Sequence, residues 1–186
     1  TQLVVDTFNT TSLQNALTGD FFGNGNQQLL LRYNSTSLAI FGYDRGTFTK
    51  RRTTVYPGNV QIVDFDGDGQ MEFLVINGAH LYLYKYNAIS GIEHVKQLDA
   101  PSQYIVNWGD FNGDGITDML YRDYNSVSQP EYRVALGTGT DYFENVALNL
   151  APYHTATNIP VVVADINNDG IVNILDLLYL KQILLR

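Results

Sequence analysis

The stretch DFNGDGITDML (residues 110–120) sets oxygen-bearing side chains at alternate positions, turns on a glycine and then runs into an apolar segment. Three further segments align with it on their first aspartate: GDFFGNGNQQLLL, VDFDGDGQMEFLV and ADINNDGIVNILD. The opening residues are Asp20, Asp64, Asp110 and Asp165, spaced by 44, 46 and 55 residues. A period of that size is the mark of a repeat built from four-stranded units, such as a propeller blade. Residues 110–120 are therefore one instance of something the chain repeats.

Around each of the first three loops lie four runs of strand-like sequence, bounded by Gly, Asn, Asp or Pro. The first unit (about residues 10–58) offers LQNALTGDF, LLLRYN, LAIFGY and TFTKRRTTVY. The second (59–102) offers VQIVDF, EFLVIN, LYLYKY and EHVKQL, and the third (103–158) YIVNWGDF, DMLYRD, EYRVALG and FENVALN. The loop always separates the first run from the second. After the fourth loop comes ILDLLYLKQILLR, apolar at helical spacing and free of breakers, which predicts a helix over 174–185. The expected fold is mainly β: three propeller-like antiparallel units forming a partial or open propeller over residues 1–158, then a loop and helix over 159–186. Three units fall short of the four to eight blades of a closed ring, which predicts self-association or membership of a longer protein.

Composition narrows the function. Of the 186 residues 45% are hydrophobic and 16% charged, with 13 Tyr, 9 Phe and 16 Gly, enough for a β-rich core. The net charge of −8 disfavours nucleic acid, which needs a basic face. The one basic cluster, Lys50-Arg51-Arg52, reads as the solvent side of a strand. Cysteine is absent, so disulfides and thiolate metal sites are excluded. No apolar run is long enough for a membrane-spanning helix, and the N-terminal residues carry no signal-peptide pattern.

The loops carry the chemistry. Calcium is a hard cation that takes six to eight oxygens, and a short loop can supply them from alternate residues. In the third loop these are Asp110, Asn112, Asp114, the Ile116 carbonyl and Asp118, at positions one, three, five, seven and nine, with Gly115 at six. The second loop matches with Asp64, Asp66, Asp68, Gly69, the Gln70 carbonyl and Glu72. The fourth offers Asp165, Asn167, Asp169, Gly170, the Ile171 carbonyl and Asn173, with Asp176 at twelve. In the first loop Phe22 takes position three, leaving Asp20, Asn24 and Gln28, so it reads as a structural turn without metal. Asx-Gly turns can form from hydrogen bonds alone. Three loops sharing the same spacing favour Ca2+, about three ions in all. Their formal charges are −4, −3 and −3, and three divalent ions would bring the chain from −8 to −2.

DFDGDGQMEFLV and DFNGDGITDMLY resemble the FG-GAP/VCBS repeat, whose loops read Asp-x-Asx-x-Asp-Gly-x-x-Asp before an apolar strand. The resemblance runs over about residues 10–158, weakly in the first unit. It implies propeller blades with calcium in the inter-strand loop, in extracellular lectin-like, adhesive, integrin-type or toxin-associated proteins. ADINNDGIVNILDLLYLKQIL is similar to one half of a dockerin, with an EF-hand-like calcium loop and a helix. A dockerin has two such halves, so a structural cap is an equal expectation.

His80, His94 and His154 are scattered and pair with no nucleophile, so no catalytic residue and no enzymatic activity are expected. GTGT (137–140) lacks the lysine and helix of a phosphate loop and reads as a strand-ending turn. Tyr82, Tyr84 and Tyr86 share one face of a strand, either as an aromatic ladder inside the sheets or as a platform for sugars. Asn9 and Asn34 sit in glycosylation acceptor patterns. The expected function is a secreted or cell-surface, calcium-binding module for binding or adhesion, with a protein, a carbohydrate or copies of itself as partner. The competing expectation is a structural subunit of an extracellular fibre or surface appendage, assembled through sheet edges and the C-terminal helix.

Overall fold

Each described loop ends where a continuous apolar run begins, LLL, FLVI or MLY, and those runs become strands at the centre of their sheets. The computed structural model describes residues 16–34, 36–44, 46–124, 131–140 and 144–148. These form three antiparallel four-stranded sheets, each from consecutive strands in sequence order. The first contains β1 (Leu17–Gly19), β2 (Gln28–Asn34), β3 (Ser37–Asp44) and β4 (Thr47–Thr54). The second contains β5 (Asn59–Val63), β6 (Glu72–Asn77), β7 (His80–Asn87) and β8 (Gly91–Asp99). The third contains β9 (Ile105–Gly109), β10 (Asp118–Asp123), β11 (Glu131–Leu136) and β12 (Glu144–Leu148). The expected mainly-β chain of three antiparallel units is what these residues build, and they contain no helix. The expected helix over 174–185 lies outside the described residues, as do Asn9 and His154.

The hairpins are tight. Asp44 pairs with Thr47, and Asn77 pairs with His80 across Gly78–Ala79. Gly46 and Gly78 take φ +80° and +62°, the left-handed conformation that two-residue turns of twisted hairpins require. Between β2 and β3 the Asn34 side chain accepts the Thr36 N–H at 2.9 Å and closes the turn.

The chain divides into two compact units, residues 1–62 with 69–98, and residues 63–68 with 99–186. In the first, every second residue of the central strands meets in one core: Leu30, Leu38, Ile40, Phe73, Val75, Tyr82 and Tyr84 among them. Aromatic rings organise it. Phe73 and Tyr84 stack at 5.1 Å, Tyr56 stacks on Tyr82 at 3.8 Å, and Phe22 meets Tyr86 at 4.4 Å. Residues of the intervening register are buried too, as Leu74 and Leu81 show, so both faces of β6 and β7 are covered. Full burial of one such side chain stabilises by about 1.5–3 kcal/mol. The second unit repeats the pattern on a smaller scale with Phe111, Leu120, Tyr132 and Val134.

Two expectations resolve here. Lys50, Arg51 and Arg52 are all exposed although successive residues of β4 point to opposite faces, with Arg52 Nε donating to Ser37 Oγ at 2.7 Å. The tyrosines of β7 are a ladder and not a platform: Tyr82, Tyr84 and Tyr86 are all buried, because the face they share is the core face.

Candidate metal centre

Each loop leaves the first strand of its sheet at the opening aspartate and enters the second strand at position nine. The loops turn through left-handed conformations, which glycine adopts at least cost. Glycines at positions four and six supply the left-handed ones: Gly23 and Gly25, Gly67 and Gly69, Gly113 and Gly115, all at φ between +61° and +86°. The turn points several loop N–H groups inward, and the opening carboxylate collects them. Asp110 Oδ1 accepts from Gly113 and Asp114 (2.7 and 3.1 Å), and its Oδ2 accepts from Gly115 (2.9 Å). Asp114 Oδ1 accepts from Ile116 (2.9 Å), and Asn112 bridges to Asp114 through its Nδ2 (2.8 Å). In the second loop Asp64 accepts from Gly67 (2.9 Å) and Asp66 from Asp68 (3.4 Å).

Position nine is where the loops differ most. Asp118 is wholly buried, and its two oxygens accept the Phe111 and Gly137 N–H groups, each at 2.7 Å. Burial pushes its pKa up to about 6, with the charges of Asp114 and Asp110 adding to the rise and the two N–H bonds opposing it. Among the described residues no lysine or arginine forms an ion pair with Asp110, Asp114 or Asp118. Glu72 is equally buried, but Lys85 Nζ lies 2.9 Å from its Oε1.

The segment from Asp64 to Glu72 is one continuous stretch of chain. Within it, one carboxylate oxygen from each of Asp64, Asp66 and Glu72 lies within 4.8 Å of the others. Asp68 is exposed. Gln70 spends its side chain elsewhere, its Nε2 donating to the Phe21 and Tyr86 carbonyls (2.9 and 2.8 Å). Ile116 packs its side chain against Gly67. The carboxylates of Asp64, Asp66, Glu72, Asp110, Asp114 and Asp118 offer oxygen, the ligand that suits a hard divalent cation. Asp165, Asn167, Asp169, Ile171, Asn173 and Asp176 lie outside the described residues.

Three features escaped the sequence reading although their signals were present. Position four is Gly in all three described loops. Position two is Phe in the same three loops, and Phe21, Phe65 and Phe111 are all buried, so the repeated Asp-Phe pair plugs these loops onto apolar residues. Position eight links loops: within the first unit Met71 N–H donates to the Asp20 carbonyl (2.9 Å), and within the second Thr117 N–H donates to the Asp64 carbonyl (2.8 Å). Thr117 Oγ1 also accepts the Asp64 N–H at 2.9 Å.

Comparison with protein families finds the FG-GAP-like repeat twice, over residues 64–121 and 110–175, together more than half of the chain. The chain belongs to the FG-GAP-like repeat family. Each match begins on the opening aspartate of a loop, Asp64 or Asp110. The second extends to residue 175, past the aspartate at 165. Comparison with curated proteins gave no match. FG-GAP-like repeats are a generally non-enzymatic family of β-repeat modules that often serve in adhesion or protein–protein binding.

Proposed function

We propose that this FG-GAP-like chain is a calcium-stabilised binding or adhesion module, exposed outside the cell, that recognises a protein partner. The supporting observation is Asp118: a buried carboxylate, close to Asp110 and Asp114, with its pKa raised. Burying uncompensated negative charge is costly unless a cation shares the site. The second loop gathers Asp64, Asp66 and Glu72 in the same manner. In this reading Asp110, Asn112, Asp114, Asp118 and the Ile116 carbonyl hold one ion, and Asp64, Asp66, Asp68, Glu72 and the Gln70 carbonyl a second. A third belongs to the loop of Asp165, with Asn167, Asp169, the Ile171 carbonyl, Asn173 and Asp176. The ion cross-links the loop to the start of the second strand and performs no chemistry.

A protein partner is favoured over a sugar because the tyrosines of β7 are inside. Assembly into a fibre through sheet edges has less support, since the outer strand β4 presents Lys50, Arg51 and Arg52 to solvent, a device that blocks edge pairing. Calorimetric titration of the chelator-treated chain with calcium tests the metal reading. A heat of binding with a rise in melting temperature is expected; no binding up to millimolar calcium refutes it.

A further inference from the structure

The first loop keeps the backbone arrangement of the third with less charge. Asp20 accepts the N–H groups of Asn24 (3.0 Å) and Gly25 (2.6 Å), the fifth and sixth positions that Asp110 also serves. Asn24 Oδ1 accepts the Asn26 N–H (3.0 Å), as Asp114 Oδ1 does that of Ile116. The oxygens that a cation would draw together in such a loop include the fifth side chain and the seventh carbonyl. Here both already face a donor. Gln28 Nε2 donates to Asn24 Oδ1 (3.3 Å) and to the Asn26 carbonyl (2.5 Å), while Gln28 Oε1 accepts the Phe22 N–H (2.9 Å).

The orientation of that amide is fixed by its partners. Turned over, its NH2 would confront the Phe22 N–H and its oxygen would confront two acceptors. Gln28 is 2% exposed, so these bonds form out of water. Room for its stem comes from Gly42, where a Cβ would fall on Gln28 Cγ. Glu72 and Asp118, at the same ninth position of the other loops, can only accept when ionised.

We propose that the Gln28 carboxamide takes the place of the cation in the first loop, and that Gln28 is the residue that frees this repeat from divalent metal. The inference rests on the calcium reading of the other loops. Between the first and third loops it makes the ninth residue the difference in metal demand: the Gln28 amide closes its loop unaided, whereas the Asp118 carboxylate has no hydrogen to donate.

Hydrogen exchange of the full chain, read by segment in calcium and in EDTA, tests it with wild type and Gln28→Glu. In wild type, exchange over residues 20–28 is expected to be the same in both media, while 110–118 slows in calcium. Gln28→Glu sets a carboxylate oxygen against Asn24 Oδ1 and the Asn26 carbonyl, and should speed exchange over 20–28 by about tenfold or more in EDTA. Calcium should reverse that gain. Calcium protection of 20–28 in wild type overturns the proposal, as does a Gln28→Glu variant equally protected in EDTA. A variant opened alike in both media overturns it too, since no cation position then lies behind the amide. If 110–118 ignores calcium while Gln28→Glu still opens 20–28 in EDTA alone, the general calcium reading fails and the role of Gln28 stands.

Discussion

Replacing Asp118 with asparagine sets two opposed effects against each other, and their balance depends on pH and on calcium. The wild-type carboxylate has a pKa of about 6 against an ordinary 3.8, so the folded chain holds this proton more tightly than the unfolded one. Stability from this group is therefore fully present below about pH 3.8 and is lost as pH rises to about 6. The difference of roughly two units corresponds to about 3 kcal/mol. Asparagine removes that dependence. It also offers one acceptor where Asp118 offers two, so its NH2 meets either the Phe111 or the Gly137 N–H, at a cost of about 1–3 kcal/mol. At pH 7 in EDTA the two effects nearly cancel, and the variant should melt close to wild type. Near pH 4 it should be less stable, by about the cost of the lost hydrogen bond. In saturating calcium at pH 7 it should lag again, because a ligand is gone. Denaturant unfolding of both chains across pH 4–7 in EDTA, repeated at pH 7 in calcium, reads all three points. Parallel stability curves with pH would refute the argument that Asp118 is the strained buried charge of the third loop.

Calcium titration should find about three ions, at the loops of Asp64, Asp110 and Asp165 and none at Asp20; a stoichiometry of zero or four would be wrong for that assignment. Asp110→Ala and Asp20→Ala should cost similar amounts in EDTA, about 1–3 kcal/mol, since each carboxylate collects loop N–H groups. In calcium the Asp110 variant should lose more, and equal losses in calcium melts would contradict the ligand role. Gly115→Ala meets no neighbour within 4 Å, so its cost is the φ of +86° alone, about 1–2 kcal/mol by denaturant unfolding. Lys85→Met deprives the buried Glu72 of its ammonium and should cost about 3 kcal/mol in EDTA, with much of the loss recovered when calcium is added.

The strands were legible because each is short, alternating and closed by turn residues; β6 and β10 match the residues read from the sequence at both ends. The tyrosines of β7 were ambiguous for a physical reason. An alternating face states that three side chains share a side but not whether that side meets water, and β7 is covered on both. Loop spacing picks out candidate oxygens, yet the partners of position nine come from elsewhere in the chain. Lys85 reaches Glu72 from the next strand, and Gly137 reaches Asp118 from beyond β11. Spacing alone cannot report such pairings, because strand register sets them. The first loop was judged by what Phe22 takes away, whereas Gln28 shows what was put in its place.

The hydrogen bonds from the eighth positions of the second and third loops back to the opening aspartate of the preceding loop have a consequence for how such a chain can grow. The contact that must be reproduced when a copy is added lies between two loops, not inside one sheet. A duplication cut from one opening aspartate to the next carries the acceptor carbonyl at its head and restores the donor with the following loop. One cut at the hairpins would split the pair of loop ends that each sheet offers its neighbours in sequence. Both family matches begin on an opening aspartate, which is where such a cut would fall. The stretches between loops are then free to vary in length, as the 44, 46 and 55 residues separating the aspartates do.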